Sequence, residues 1–316
     1  MRGIFFNSKH ALCSIWESGH MVYQILKKSD KYTLDYSEEQ NIELNSEQYD
    51  FIVVNWHYSV NNWITKEKIS TYTGKTYCII TEVGLDTLFT DTHFSTPQIF
   101  DYYMFLDPSI TDDPSTGIFG FPRPLEPYLN NNEKVNPEII TVGSFGFATQ
   151  GKQWNLIIDA VSKEFDNAII RFNIPHATYV GKKIQNHTIR TIQNKITSLK
   201  PGIKVELTQT NMTKDELIKW CGTNTLNCFF YDRYTIGFKH GLCAVTDQAV
   251  SSGKPLLTTN DPTFRHITKY IKPYPEISIK DAIIQNSVSK MQEEWSHVTF
   301  LTKFESLLPL SRTVES

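Results

Sequence analysis

A glycine-bearing loop between an apolar strand and an amphipathic helix has the residue types best suited to hold a charged ligand. It lies in the segment VGSFGFATQGKQWNLIIDAVSKEF, residues 142–165. Its glycines permit unusual backbone angles, and free N–H groups at a helix start, with a lysine beside them, form a cradle for phosphate. The alternative interpretation is a turn with structural glycines. The predicted cradle comprises Gly143, Ser144, Phe145, Gly146 and Lys152.

The loop matches neither the G-x-G-x-x-G nor the Walker A pattern, which argues against a dinucleotide-dependent dehydrogenase and a P-loop enzyme. A second polar cluster, residues 231–267, follows two further strand ends, where ligands of open α/β sheets bind. For Asp247 and Arg265, a polar helix position and a surface charge are equally open alternatives. The residues assigned to ligand binding in this cluster are Asp232, Arg233, Gly241, Leu242, Asp247, Arg265 and His266.

The elements that position these residues alternate between apolar strands and helices. Strands without strict polar alternation are typical of parallel sheets that helices cover on both faces. Thr213, followed by Glu216 three residues later, predicts a capping box at the start of one helix. The predicted fold class is α/β, with two Rossmann-like doubly wound domains. Strands are expected at 3–6, 49–56, 76–83, 100–107, 138–146, 167–175, 203–210, 226–232 and 254–259.

A segment with four prolines and an asparagine run, residues 120–138, separates two series of strands and has the composition of a linker. The chain has 316 residues, which is enough for two domains. The predicted organisation is an N-terminal domain at 1–122, a linker at 123–137, a C-terminal domain at 138–285 and a helical segment at 286–316.

The two halves of the chain carry opposite charge. Residues 1–150 contain 10 Lys and Arg against 19 Asp and Glu, a net charge of −9, whereas residues 151–316 contain 21 against 15, a net charge of +6. The second half is therefore the better host for an anionic ligand. Five cysteines without C-x-x-C spacing argue against a disulfide framework or a zinc site, and favour a reduced, cytoplasmic setting. No signal peptide or membrane-spanning segment is predicted.

The second half resembles the donor-binding domain of GT-B glycosyltransferases over about 125 residues. The resemblance lies in VGSFGFATQGKQWNLIIDAV, RFNIPHATY and GLCAVTDQAVSSGKPLLTTNDPTFRHI, and the GSFGF and FRHI stretches also resemble a little-described glycosyltransferase-like group. It implies two domains facing each other across a cleft, with the donor phosphates on the first loop and the ribose, phosphate or sugar on the later stretch. It also implies that a helix at 287–309 crosses back to the first domain; packing on its own domain is the alternative.

This sequence departs from the GT-B pattern at one conspicuous place. Many retaining members carry two glutamates separated by seven residues, and the aligned positions here are His240 and Gln248. The usual ribose-binding glutamate is therefore missing, with Asp247 as a neighbouring substitute, and the stereochemical class stays open. Of the basic residues that would neutralise the donor diphosphate, Lys152 and Arg265 are favoured. The other candidates for this basic pair are Arg233 and Lys239.

The resemblance implies that the first half binds the acceptor, and polar residues do follow its predicted strands. His57 and Glu82 have side chains suited to a general base, which an inverting transferase needs. In a retaining transferase the leaving phosphate takes that proton instead. A structural hydrogen-bonded role is the alternative for His57. Acceptor-side candidates are Asn7, Ser8, Glu17 and Gly19, and further strand-end and helix residues considered are His10, His20, Asn55 and Asp107.

The expected function is transfer of a hexose or pentose from a UDP- or GDP-linked sugar to an acceptor hydroxyl on a glycan, a lipid-linked sugar or another compound. No metal motif is visible, and no cofactor is expected apart from the nucleotide-sugar substrate. One alternative is a non-catalytic GT-B-like binding protein, motivated by the missing glutamates. Another is a phage-type transferase acting on hydroxylated DNA bases, although the −9 charge of the first half disfavours DNA as a partner.

Overall fold

The computed structural model describes residues 1–7, 14–40, 42–56, 63–81, 99–126, 139–177, 180–233 and 241–309. The chain separates into two compact units. The first unit is Met1–Pro124 together with Glu294–Ser316, and the second unit is Leu125–Glu293. These divisions fall after Pro124 and Glu293 rather than at 122 and 285. The acceptor and donor roles of the two parts stay predictions.

The first unit is built on a six-stranded sheet in the order β2-β1-β3-β4-β5-β6, with every neighbouring pair parallel. This is the flavodoxin-like doubly wound order with one strand added, and it reverses between β1 and β3. Its elements, numbered in chain order, are β1 (Arg2–Phe6), α1 (Ser14–Leu26), β2 (Thr33–Ser37), β3 (Phe51–Asn55), α2 (Lys66–Ser70), β4 (Lys75–Ile80), β5 (Tyr102–Phe105), β6 (Ile118–Gly120) and α9 (His297–Ser306).

The central strand β3 is apolar at its first four positions because both of its faces are covered. In β3, Ile52 and Val54 pack into one hydrophobic cluster, while Phe51 and Val53 pack into another on the opposite face. Side chains alternate between the two faces of a strand, so a strand covered on both sides has apolar residues at consecutive positions. This accounts for the uninterrupted run FIVV in the sequence.

The C-terminal helix α9 completes the core of the first unit. Phe300 and Phe304 are fully buried in the cluster that contains Phe51. The Phe304 ring lies 5.1 Å from the ring of Tyr77, whose hydroxyl donates to the carbonyl of Leu307 at 2.9 Å. Residues from both ends of the chain thus form one hydrophobic core.

The second unit has a five-stranded parallel sheet in the order β9-β8-β7-β10-β11. Counted within the unit, this is the Rossmann strand order 3-2-1-4-5, without the sixth strand. The order reverses between β7 and β10. The predicted fold class of two doubly wound α/β domains is confirmed. The elements are β7 (Ile140–Phe145), α3 (Trp154–Glu164), β8 (Ala168–Asn173), α4 (Lys182–Ile196), β9 (Ile203–Thr208), α5 (Lys214–Gly222), β10 (Leu226–Phe229), α6 (Val245–Ser251), β11 (Leu256–Thr258), a 3-10 helix (Pro262–Ile267), α7 (Ile279–Gln285) and α8 (Val288–Glu294).

The structure adds two strands, β2 and β6, to those expected from the sequence. The residues of β2 are half-buried or exposed, and β6 has only three residues, so neither gives a strong apolar signal. The capping box of Thr213 and Glu216 is confirmed at the start of α5. None of the helices in the described part of the chain combines the length and apolar content needed to span a bilayer.

Replacing Phe304 by alanine should destabilise the first unit by about 3–5 kcal/mol, because it removes a fully buried ring from the core. Urea unfolding followed by circular dichroism measures the effect. Val298→Ala on the same helix is the matched control, since Val298 is 74% exposed and its truncation should change stability by less than about 0.5 kcal/mol. Equal unfolding midpoints for the two variants would contradict the role of α9 in this core.

Candidate functional site

The candidate site lies where β7 and β10 end, at the point where the strand order of the second unit reverses. Ligands of open α/β sheets bind at such points. The loop that leaves β7 at Gly146 is fixed to the segment after β10 by backbone hydrogen bonds. Gln153 N–H donates to Phe230 O at 2.8 Å, and Asp232 N–H donates to Gly151 O at 2.7 Å. These main-chain hydrogen bonds fix the position of the loop beside the segment that follows β10.

The glycines of this loop have different roles. Gly146 has a φ of +125°, and a Cβ there would collide with the ammonium of Lys152. Only glycine suits both conditions at once. Gly143 instead lies within β7, where the amide of Asn224 fills the space that a side chain would need. The structural alternative thus accounts for Gly143, whereas Gly146 opens room beside a cation.

The side chain of Lys152 is held by aromatic rings. Its Nζ lies 5.2 Å from the ring centroid of Tyr231 and 5.6 Å from that of Trp154. Both distances are within the range of cation–π attraction. The backbones of Lys152 and Tyr231 also form an antiparallel bridge. Within the described part of the chain, no carboxylate oxygen lies within ion-pairing distance of this ammonium.

The electrostatics leave Lys152 as an uncompensated charge at neutral pH. Burial lowers the pKa of Lys152 to about 8, with Cys243 opposing this shift and Arg233 adding to it. Lys152 is therefore mostly protonated at pH 7. Burial raises the pKa of the Cys243 thiol and of the Tyr231 phenol, so both neighbours are neutral. With Arg233 as a second cation nearby, this site gains strongly from an anionic ligand.

Three chain segments meet around this cation. After β10, the backbone N–H of Arg233 donates to Asp261 Oδ2 at 2.7 Å, and the guanidinium carbon of Arg233 lies 6.0 Å from the ring centroid of Tyr231. The carboxylate of Asp261 also accepts from Thr263 N–H at 2.9 Å, and Cys243 N–H donates to Thr263 O at 3.0 Å. The structure thus places Arg233 near Lys152. The pairing of Lys152 with Arg265 stays a prediction.

The remaining predicted donor-site residues lie on or near α6 and the 3-10 helix. His266 is 1% exposed and is hydrogen-bonded to Thr246 Oγ1 at 2.9 Å, and Arg265 Nη1 donates to the carbonyl of Pro262 at 3.2 Å. Asp247 is half-buried in the first turn of α6. Gly241, which has a φ of +74°, and Leu242 precede that helix, while Ser144 and Phe145 are buried in β7.

In the first unit, Asn7 and Asn55 meet at the ends of β1 and β3. Asn55 Nδ2 donates to Asn7 Oδ1 at 2.7 Å and to Ile15 O at 2.9 Å, while Asn7 Nδ2 donates to Trp16 O at 3.1 Å. A Cβ on Gly19 would collide with both amides. These contacts hold α1 against the strand ends and give Asn7 and Gly19 a packing role, whatever their part in acceptor binding.

The other acceptor-side and catalytic predictions divide into two groups. Glu17 is exposed on the first turn of α1, and Asp107 Oδ1 accepts from the N–H of Ser109 at 3.0 Å in a local turn. The second group lies outside the described residues, and it comprises Ser8, His10, His57 and Glu82. Two positions of the donor-side analysis, Lys239 and His240, also lie outside the described residues.

Tyr231, Trp154 and Cys243 are site residues that the sequence pattern did not single out. Tyr231 directly precedes Asp232, and Trp154 begins α3 two residues after Lys152. An aromatic residue near a lysine in sequence is too common to predict a cation–π contact. The backbone bridge between Lys152 and Tyr231, which are far apart in the chain, brings the Tyr231 ring to the ammonium.

Comparison with known proteins rests on structure alone, because no protein-family model and no curated protein matches the sequence. Anabaena Alr3699/HepE, solved with UDP, has a TM-score of 0.61 at 9% identity, covering 97% of this chain and 99% of that chain. An α,α-trehalose-phosphate synthase (UDP-forming) from Burkholderia vietnamiensis has a TM-score of 0.55 at 9% identity, covering 81% and 70%. An α-glucosyltransferase solved with UDP and a 13-mer DNA containing an HMU base has a TM-score of 0.54 at 10% identity, covering 95% and 94%.

These three proteins are GT-B glycosyltransferases. The chain has the GT-B fold. The GT-B likeness spans both units, since the match to HepE covers nearly all of each chain. At 9–10% identity the shared property is the fold, so that the chemistry of this GT-B protein must be argued from its own residues.

The depressed pKa of Lys152 predicts a distinctive pH dependence of stability. An unfolded lysine keeps its proton up to about pH 10.5, whereas the folded one loses it near pH 8. Between these values the unfolded state binds more protons, so stability rises with pH. The penalty for the buried charge is fully present below pH 8 and disappears as the pH approaches 10.5. Urea titrations of wild type and Lys152→Met measure this effect. Between pH 8 and pH 10.5 the unfolding free energy of wild type should rise relative to that of Lys152→Met.

The control for this measurement is Lys163→Met, at an exposed position of α3. The difference in unfolding free energy between Lys163→Met and wild type should stay flat over the same pH range, because the Lys163 side chain is exposed to water. A flat profile for Lys152→Met as well would contradict the burial of the Lys152 ammonium.

Proposed function

We propose that the protein is a glycosyltransferase that moves a sugar from a nucleoside-diphosphate sugar to an acceptor hydroxyl. The observation that carries this proposal is the ammonium of Lys152, which lies beside the open space of Gly146 at the strand-end position where GT-B folds offer a ligand site. A diphosphate supplies the negative charge that this cation lacks among the described residues.

The chemistry follows from where charge develops during transfer. As the bond between the sugar and the diphosphate breaks, negative charge accumulates on the departing phosphate oxygens. Lys152 and Arg233 would stabilise that charge, and their preorganised positions mean that little rearrangement is needed during the reaction. This neutralisation by side chains is the basis for proposing transfer without a metal ion. The acceptor hydroxyl loses its proton either to His57 or Glu82, or to the departing phosphate.

UDP is the favoured nucleotide of the donor, with GDP second. HepE and the α-glucosyltransferase were both solved with UDP, and the trehalose-phosphate synthase is UDP-forming. Asp247 is the proposed partner of a ribose hydroxyl, because it lies half-buried in the first turn of α6 next to Gln248. Gly241, Leu242, Arg265 and His266 remain proposed contributors to donor binding.

Lys152→Met should weaken UDP binding by about tenfold or more, since a hydrogen bond to a charged group contributes roughly 1.5–3 kcal/mol. Isothermal titration calorimetry with UDP at pH 7 measures the loss. Methionine keeps the length and apolar contacts of the side chain with Tyr231 and Trp154, so that the variant removes chiefly the charge. Affinity for UDP in the wild type should also fall above pH 8, where Lys152 loses its proton.

Lys163→Met is again the matched control, because it removes one charge from the same unit at an exposed position. It should bind UDP like the wild type. Equal affinity of Lys152→Met and wild type for UDP would overturn the assignment of Lys152. Binding without sugar transfer to any acceptor tried would favour the non-catalytic alternative.

Transfer to DNA is a second candidate function, and one observation favours it. The α-glucosyltransferase solved with UDP and DNA matches 95% of this chain. Most of the second unit also lies in the half of the chain with net charge +6. The acidic first half weighs against it, because phosphate contacts need basic residues.

Binding to duplex DNA tests this candidate directly. For a DNA acceptor, affinity measured by fluorescence anisotropy should fall steeply as salt rises, since each phosphate contact releases counterions. A protein that binds UDP but shows no DNA binding at roughly 50 mM salt, where such contacts are strong, would exclude it.

A further inference from the structure

A cavity of about 1280 Å³ lies in the second unit between the segment 149–159 and one face of α4. The candidate donor loop, including Lys152, forms part of its lining, and the α4 wall carries a further set of basic residues. The side chains that matter for its chemistry are Lys183, His187, Arg190, Trp154, Thr149 and Asn155.

The α4 wall presents a basic stripe. Lys183, His187 and Arg190 occupy positions i, i+4 and i+7 of the helix, and such positions share one face. None of the three is ion-paired with a carboxylate in the described part of the chain. Asp159 is the one carboxylate among the described lining residues, and it is paired with Lys195 at 2.6 Å. The stripe thus faces the cavity with unneutralised charge.

The sequence of α4 breaks a local rule of helix stability. Its fifteen residues contain no Asp or Glu, and Lys182 and Lys183 occupy the first turn. The positive end of the helix dipole disfavours lysine there and favours acidic residues. Local rules are typically broken where function requires it. An anion bound beside the first turns of α4 would relieve this repulsion.

Three residues of the opposite wall have a buried polar atom without a hydrogen-bond partner. Trp154 is 5% exposed, and its indole N–H is buried without a hydrogen-bond partner. The hydroxyl of Thr149 and the carbonyl oxygen of the Asn155 side chain are likewise buried without partners. Such groups are destabilising unless a ligand or water satisfies them. Two of the three can donate to an oxyanion, while Asn155 Oδ1 can accept from a hydroxyl.

We propose that this cavity binds a phosphate monoester of a small polyhydroxyl compound. The phosphate would lie against the stripe of Lys183, His187 and Arg190, and the hydroxyls would reach the wall that carries Asn155. The proposal goes beyond the proposed transferase function, because its phosphate contacts lie on α4, whereas Lys152 lines another part of the same cavity.

The test titrates inorganic phosphate, glucose 6-phosphate and glucose into the full chain by isothermal titration calorimetry. Glucose 6-phosphate should bind more tightly than inorganic phosphate, and glucose should not bind. The double variant Lys183→Gln/Arg190→Gln should lose about tenfold or more in glucose 6-phosphate affinity, because it removes two charged contacts. Both positions are exposed, so the variant should fold normally.

The double variant Lys163→Gln/Lys204→Gln is the matched control, with the same charge change at exposed positions of the second unit that do not line the cavity. It should bind glucose 6-phosphate like the wild type. Absence of glucose 6-phosphate binding, or an equal loss in both double variants, would overturn the proposal. So would full retention of binding in Lys183→Gln/Arg190→Gln, which would place the phosphate elsewhere. UDP affinity, measured in parallel, should be the same in Lys183→Gln/Arg190→Gln as in wild type. This second measurement tests the proposed transferase function.

Discussion

Lys152 has no carboxylate partner among the described residues, and aromatic rings hold its ammonium in place instead. The faces of Tyr231 and Trp154 attract Lys152, and the missing side chain of Gly146 leaves it room. An acidic residue at this point would neutralise the lysine but would occupy the position that an anionic ligand needs. Neutral neighbours, among them Cys243, preserve the charge for a ligand instead.

The geometry of this cation depends in turn on sheet topology. β7 and β10 are neighbours only because the strand order of the second unit reverses between them. Their loops are then joined through main-chain hydrogen bonds, such as Asp232 N–H to Gly151 O. Backbone groups thus fix the loops, and the side chains of Lys152 and Arg233 both lie over the ring of Tyr231. Topology thus creates the site, and side-chain chemistry decides what it binds.

The sequence predicted the parts of this arrangement that local pattern controls. Continuous apolar runs predicted the central strands, but the half-buried edge strand β2 lacks that signal. In the site, Gly146 and Lys152 were predicted together because they share one loop. Gly143 has its packing role through Asn224, far along the chain, and no local pattern reveals such a contact. The same holds for Tyr231, which reaches Lys152 only through a long-range bridge.

The two units use the same topological feature in opposite ways. At the reversal point of the first unit, Asn7 and Asn55 fill the space with neutral amides that hydrogen-bond to the backbone of α1, and Gly19 lets the helix come close. At the reversal point of the second unit, a glycine instead opens space beside a cation. Equivalent points of the two sheets therefore carry neutral amides in the first unit and a cation in the second. In the second unit this cation is the electrostatic partner that a phosphate-bearing ligand would need.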